Sequence, residues 1–153
     1  MEIRRMSAGG IDFLIKEEGM VLKPYLCAGK VPTIGVGCTF YPDGRAVKMT
    51  DSAIQKTEAL EILKGVLKTF EKKVASKIKS NINQNQFDAL TSFCFNVGTV
   101  AFENSTLLRL VNKNPRDPKI SEAFEAWRFA GGKPLLLWRR KREYMLFKRD
   151  DNA

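Results

Sequence analysis

Three side chains near the N-terminus have types and a spacing that suit the hydrolysis of a glycosidic bond. Glu18, Cys27 and Thr33 follow one another at intervals of nine and six residues. Cleavage of such a bond needs an acid that protonates the leaving oxygen and a second group that handles water or the sugar cation. A carboxyl group can supply the acid, and a thiol beside a hydroxyl can hold one water molecule between them. The three residues therefore form a candidate catalytic set.

The segment before this set is predicted to be a short helix that ends at the acid. Apolar residues recur at helical spacing, with Ser7 as a candidate N-cap and Gly19 as a candidate residue after the helix. This pattern puts Glu18 at the C-terminal end of the helix.

A β-hairpin is predicted to carry the other two members. Two short apolar runs flank Ala28-Gly29-Lys30, and an odd-length loop centred on Lys30 would set Cys27 and Thr33 opposite each other on one face. Taken singly, each residue also has an ordinary structural explanation, as a helix stop, a half-buried strand residue or a β-former. The combination is what favours a site.

At this point the sequence resembles the phage-type lysozymes, or endolysins, of the bacteriophage T4 and lambdoid-phage kind. Glu18, position 27 and Thr33 match the family's catalytic Glu, Asp and Thr, and Thr33-Ile34-Gly35-Val36-Gly37 matches a family signature. The resemblance extends over about residues 11–147. Its later segments are Gln86-Phe87-Asp88-Ala89-Leu90, Phe93-Cys94-Phe95-Asn96-Val97-Gly98, Ser105-Thr106-Leu107-Leu108 and Trp127-(x)2-Ala130-Gly131-Gly132-Lys133 with Arg139-Arg140.

Two departures from the family pattern affect the expected mechanism. Cys27 stands where most members carry Asp, and Cys38 stands where a His commonly follows the signature. The resemblance implies inversion at the anomeric carbon, with position 27 orienting the attacking water. Cys27 would do this with Thr33 as a thiol or a thiolate, and a covalent glycosyl-thioether is the less favoured alternative.

The resemblance also implies the fold and further site residues. We expect an α+β, mostly helical, lysozyme-like two-lobed single domain, with a small N-terminal β-hairpin lobe and a helical C-terminal lobe joined by a long helix. The expected ranges are about 11–63, 65–79 and 80–149, with a helix capped by Thr50 in the first. Asn96 matches a position that lines the substrate cleft, and one of Arg139 or Arg140 is expected to pair with Glu18 or with substrate.

Composition excludes several other kinds of site. The chain has 153 residues and 44% hydrophobic content, enough for one compact domain. It has no histidine, which excludes Ser-His and Cys-His nucleophilic pairs. Its three cysteines are too few and too scattered for a standard zinc site or a disulfide framework. We therefore expect no metal and no organic cofactor.

The net charge of +9 suggests an anionic partner. Seven cations against one acid lie between Lys133 and Arg149, and apolar residues interleave with them. They predict an amphipathic last helix with a solvated basic face, which would also keep the protein near an anionic cell envelope. A nucleic-acid binder is the rival interpretation, and we rank it last because a basic charge is common.

Two remaining interpretations share the lysozyme fold. The first is a muramidase that cleaves the β-1,4 bond between N-acetylmuramic acid and N-acetylglucosamine in peptidoglycan, as a phage or prophage endolysin. The alternative is an inactive glycan-binding or assembly module. Because neither a signal peptide nor a membrane span is apparent, we expect synthesis in the bacterial cytoplasm without stable membrane insertion. The resemblance implies that a separate holin-like protein helps the enzyme to reach the wall. We also expect a monomer.

Overall fold

The structure, a computed structural model, describes residues 4–150 and divides into two compact units. The hairpin unit is Ile11–Thr69, and the helical unit is Met1–Gly10 with Phe70–Ala153. Residues 1–3, part of the N-terminal stretch in which no signal peptide is apparent, lie outside the described residues. The mostly helical α+β class predicted from the sequence is confirmed. The elements are α1 (Ala8–Glu18), β1 (Val21–Leu26), β2 (Pro32–Gly35), α2 (Lys56–Lys77), α3 (Gln84–Val97), α4 (Thr99–Glu103), α5 (Thr106–Lys113), α6 (Ile120–Glu125) and α7 (Leu137–Phe147).

The first helix begins and ends where the sequence predicts. The hydroxyl of Ser7 accepts a hydrogen bond from the N–H of Gly10 at 3.0 Å, as an N-cap does. At the other end, Gly19 adopts a φ of 75° and donates to the carbonyl of Ile15 at 2.7 Å. Glu18 is therefore the last residue of α1.

Strands β1 and β2 form the predicted hairpin, but the predicted register is wrong by two residues, because the backbone of Cys27 pairs with Val31 and not with Thr33. Leu26 pairs with Pro32 and Tyr25 pairs with Thr33, so the loop is centred on Gly29. Lys30 takes a left-handed φ of 60° and donates to the carbonyl of Cys27 at 2.8 Å. Lys30 is therefore the last residue of the turn, and the centre of the hairpin lies at Gly29, one residue before the predicted centre.

Helix α2 begins at Lys56, so the predicted cap at Thr50 is wrong. The N–H of Ile54 donates instead to the carbonyl of Leu22 at 2.8 Å, which ties the preceding residues to β1. The helix then continues without a break through Gly65. A Cβ at that position would lie 2.5 Å from the ring of Pro42, so glycine is needed there for a close approach of the loop.

The core of the hairpin unit is formed by residues of α1, of β2 with the segment after it, and of α2. The fully or almost fully buried apolar side chains there are Leu14, Ile34, Val36, Ala59, Leu63 and Leu67. Their burial stabilises the arrangement that carries the end of α1 and the hairpin.

The helical unit packs around Phe93 in the middle of α3. The ring of Phe93 makes edge contacts with Phe102, Phe124 and Trp127 at centroid distances of 6.4, 5.7 and 5.9 Å. Helix α3 begins with the predicted cap, because the side chain of Asn83 accepts from the backbone of Gln86 in a reciprocal capping box. Within residues 4–150, no helix combines the length and apolar character needed to cross a bilayer.

Candidate active site

Glu18 lies at the end of α1 against a glycine of the segment after β2. A Cβ built on Gly37 would lie 2.5 Å from Glu18 Oε1 and 2.9 Å from its Cδ. Gly37 also has a left-handed φ of 64°, which disfavours any other residue. The backbone at Gly37 is therefore the surface against which the carboxylate rests.

Cys27 and Thr33 share one face of the hairpin but are not directly opposite. Thr33 faces Tyr25, which precedes Cys27 by two residues and so points to the same side of the sheet. Cys27 and Thr33 are diagonal neighbours, a relation that leaves side chains within reach of each other. Thr33 is almost completely buried, whereas Cys27 is half-buried.

Hydrogen bonds around the loop favour an anion at Cys27. The backbone of Val31, followed by the side chain of Thr33, lowers the pKa of the Cys27 thiol, while burial opposes this effect. In the structure the Thr33 hydroxyl donates to the carbonyl of Val31 at 2.8 Å. Since a hydroxyl rotates and has one proton, it can turn that proton toward a thiolate. The site can thus hold position 27 either as a thiol or as a thiolate.

Two further residues belong to the same neighbourhood. Cys38 is buried, and burial together with the negative charge of Glu18 raises the pKa of its thiol to about 12. Burial raises the pKa of Tyr25, and the charges of Glu18, Cys27 and Cys38 add to that shift. Tyr25 and Gly37 were not predicted as site residues from the sequence. The two-residue strand period that links Tyr25 to Cys27 is the signal that would have found the tyrosine.

The remaining predicted site residues lie in the helical unit. Asn96, near the end of α3, accepts a hydrogen bond on its Oδ1 from Nη2 of Arg140 at 2.8 Å. Arg139 and Arg140 are 6% and 0% exposed and bind Glu143 on the same helix. The prediction that the basic residues of the last helix form a solvated face is therefore wrong for these two arginines.

Glu143 is the centre of this buried network. Its Oε2 accepts from the hydroxyl of Ser92 at 2.7 Å and from Nε of Arg139 at 3.2 Å. Its Oε1 lies 2.9 Å from Nε of Arg140. Burial raises the pKa of Glu143, and the two guanidinium groups oppose that rise. In the sequence, Glu143 is the single acid of a basic segment, and its i,i+3 and i,i+4 spacing to Arg140 and Arg139 is the signal that indicates ion pairs with them.

No three His, Cys, Asp or Glu side chains of the described range lie close enough together to hold a metal ion. The thiol of Cys38 and the phenol of Tyr25 lie close enough to Glu18 to feel its charge. They can bind water or substrate by hydrogen bonds and can exchange protons.

Comparisons of the sequence and of the structure with known proteins agree on one family. The phage lysozyme profile matches residues 15–143. The endolysin of Salmonella phage P22 is 42% identical over 145 residues, covering 94% of this chain and 97% of that protein. The crystal structure of a mutant P22 lysozyme has a TM-score of 0.82 at 40% identity, covering 95% of this chain and 99% of that one. The muramidase domain of SpmX from Asticaccaulis excentricus has a TM-score of 0.81 at 29% identity, covering 96% and 99%. The chain belongs to the phage lysozyme family.

Proposed function

We propose that the chain is a muramidase that hydrolyses the β-1,4 bond between N-acetylmuramic acid and N-acetylglucosamine in bacterial peptidoglycan. The observation that carries the proposal is the presence in one unit of a carboxyl group, a thiol and a hydroxyl in the family's catalytic positions. Glu18 lies against Gly37, and Cys27 and Thr33 share one face of the adjoining hairpin. Family membership supports the peptidoglycan hydrolase activity.

In this mechanism Glu18 is the general acid. Its proton passes to the oxygen of the leaving sugar as the glycosidic bond breaks, which avoids expelling an alkoxide. The close approach to Gly37 limits the movement of the carboxyl group. A fixed acid transfers its proton faster than a mobile one, because proton transfer depends on geometry.

Cys27 and Thr33 hold the attacking water in the same mechanism. The hydroxyl of Thr33 can donate and accept, and sulfur can accept a proton from water. The water attacks the anomeric carbon from the face opposite the leaving group, so the product has inverted configuration. The lowered pKa of Cys27 increases the fraction of thiolate, which would deprotonate that water as the new C–O bond forms.

Product analysis tests the function directly. We would digest purified sacculi with the wild-type protein, Glu18→Gln and Cys27→Ala, and identify the released muropeptides by mass. Glu61→Gln is the matched control, because Glu61 is an exposed carboxylate in the same unit. We expect reducing-end muropeptides from the wild type and the control, and a loss of at least about 100-fold in the other two variants.

Two outcomes would contradict parts of this proposal. A wild-type protein that pellets with sacculi and releases nothing would be a glycan-binding module with a lysozyme fold. A sugar adduct on Cys27 in the intact mass of the protein would replace water positioning by a covalent thioether route.

We further propose that the protein acts as a monomer on the wall after release by a separate membrane-permeabilising protein. The net charge of +9 would keep it near anionic wall polymers. Light scattering would measure the molar mass in solution and so test whether the protein is a monomer. Expression in bacteria with and without a permeabilising protein would test whether lysis depends on that protein. Lysis in its absence would contradict the proposed dependence.

A further inference from the structure

The last helix and the turn before it expose several large apolar side chains. Among the described residues of the helical unit, five large apolar side chains are exposed, and four of them lie between positions 129 and 145. We call these four, which are 53–70% exposed, the α7 surface: Phe129, Leu135, Trp138 and Met145. The other side of α7 faces the core through Leu146 and Phe147, so the helix has an exposed apolar face as well as a buried one.

A tight turn holds the first half of the α7 surface. Gly131 and Gly132 both have a left-handed φ, of 59° and 80°, as the central residues of a two-residue hairpin turn do. The N–H of Leu136 donates to the carbonyl of Arg128 at 2.9 Å, which holds the two arms of the turn side by side. One residue of the α7 surface lies on each arm, Phe129 before the turn and Leu135 after it.

Helix α7 carries the second half of the α7 surface, and cations surround it. Trp138 and Met145 are separated by close to two helical turns, so they lie on the same side of the helix. The exposed cations of the turn, the helix and the two residues after it are Lys133, Lys141, Arg142, Lys148 and Arg149. Glu143 is the one acid between positions 126 and 149, and it is buried. The exposed side chains of this stretch are therefore apolar and positively charged.

We propose that the α7 surface docks on the surface of an anionic phospholipid bilayer. Its apolar side chains enter the boundary between the headgroups and the acyl chains, and the cations around them contact lipid phosphates. An exposed tryptophan suits that boundary, because the indole ring is apolar but carries one N–H donor. This contact is separate from the proposed hydrolysis, since a phospholipid bilayer contains neither sugar of the proposed substrate.

The combination of charge and apolar side chains favours a bilayer over the polymers of the wall. Wall polymers are anionic and hydrated, so they attract the cations but offer no apolar phase to a leucine or an indole ring. An anionic bilayer attracts the cations and also removes the apolar side chains from water. The four apolar side chains therefore distinguish between the two partners, and the cations do not.

Sedimentation with phospholipid vesicles tests this contact. We would compare vesicles of phosphatidylcholine alone with vesicles that contain about 30% phosphatidylglycerol. The full chain should bind the anionic vesicles at least about tenfold more tightly than the neutral ones, because several cations face the lipid. Tryptophan emission should shift to shorter wavelength on binding, as Trp138 leaves water. Trp138→Phe should keep most of the binding and lose this shift.

Matched variants separate apolar insertion from attraction by charge. Leu135→Ser combined with Trp138→Ser removes two apolar side chains without changing the charge, and should weaken binding to anionic vesicles at least about tenfold. Val100→Ser is the matched control, because Val100 is 70% exposed on α4 of the same unit and lies outside the α7 surface. It should bind as the wild type does. All three positions are exposed, so thermal unfolding should stay close to that of the wild type.

Several results would overturn the inference. If the double variant binds anionic vesicles as tightly as the wild type, charge alone explains the attraction. If the wild type does not sediment with anionic vesicles but binds sacculi in a way that the double variant loses, the α7 surface contacts the wall. If light scattering gives the wild type twice the molar mass of the double variant, the α7 surface joins two copies of the chain. Vesicle binding by a protein that releases no muropeptides would support this inference and contradict only the proposed function.

Discussion

Replacing Gly37 by alanine should reduce activity far more than stability, because the new methyl group displaces the carboxylate of Glu18. A Cβ at position 37 would lie 2.5 Å from Glu18 Oε1, whereas ordinary contacts begin at 3.4 Å. The carboxylate must therefore move by about 1 Å, and a misplacement of that size at a catalytic group costs roughly 100-fold in rate. The left-handed φ of 64° adds a strain of about 1–2 kcal/mol for alanine.

Gly44 provides the control for the backbone strain. It has a φ of 91° in the same unit, and nothing lies within 4 Å of a Cβ placed there. Urea denaturation should show that Gly37→Ala and Gly44→Ala each lose about 1–2 kcal/mol of unfolding free energy. Hydrolysis of sacculi should fall about 100-fold only for Gly37→Ala. If the two alanine variants have activities within about threefold of each other, the carboxylate does not depend on Gly37 and the reasoning is refuted.

Three further predictions concern the titratable groups. Iodoacetamide near pH 8 should alkylate Cys27 at least about 1,000 times faster than Cys38, because the pKa of Cys27 is lowered and burial raises that of Cys38 to about 12. Peptide masses after timed labelling would measure the two rates, and equal rates would contradict the prediction. The hydrogen bond from Tyr41 lowers the pKa of Asp51 in the folded protein. This carboxylate therefore stabilises the fold at pH values above its unfolded pKa of about 4, and the stabilisation is lost as the pH falls. The loss of melting temperature caused by Asp51→Asn should shrink in acid, and a loss that does not change with pH would contradict the prediction. Glu143→Gln should lose about 3 kcal/mol or more of unfolding free energy in urea denaturation, because it removes a buried carboxylate that binds two guanidinium groups. A loss below about 1 kcal/mol would show that the network contributes little to the stability of the fold.

The parts of the fold that depend on neighbouring residues were predictable from the sequence. Ser7 caps α1 and Asn83 caps α3, and Gly19 and Gly98 follow the ends of these helices with φ values of 75° and 98°. Each of these signals acts over three or four residues through one side chain or one dihedral angle. Such signals do not require knowledge of what packs against the helix.

The register of the hairpin could not be predicted because it depends on one unusual dihedral angle. Lys30 has a left-handed φ of 60°, which a lysine rarely adopts and which no sequence rule assigns to it over Gly29. That angle selects the pairing of Tyr25 with Thr33 and makes Cys27 and Thr33 diagonal neighbours, where the sequence predicts that they face each other directly.

The burial of Arg139 and Arg140 could not be predicted from the sequence because a charge count gives equal weight to every cation. Arg139 and Arg140 are buried only because α3 and α7 pack together and bring Ser92, Asn96 and Glu143 to the same place. A partner 44 or more residues away in sequence leaves no local trace. The periodicity of α7 indicated a polar face, but it could not say which part of that face meets water.

The hairpin loop explains how a thiol can stand in place of a carboxylate at position 27. The donors that lower the pKa of Cys27, first the backbone at Val31 and then the hydroxyl of Thr33, favour an anion there, whether its charge is on sulfur or on oxygen. Cys27→Asp should therefore fold and hydrolyse sacculi. Its kcat/KM should persist to lower pH than that of the wild type, because an ordinary Asp ionises near pH 4 and an ordinary thiol near pH 8.5. If the two pH profiles coincide between about pH 4 and pH 9, the neutral thiol positions the water and the anion is not used.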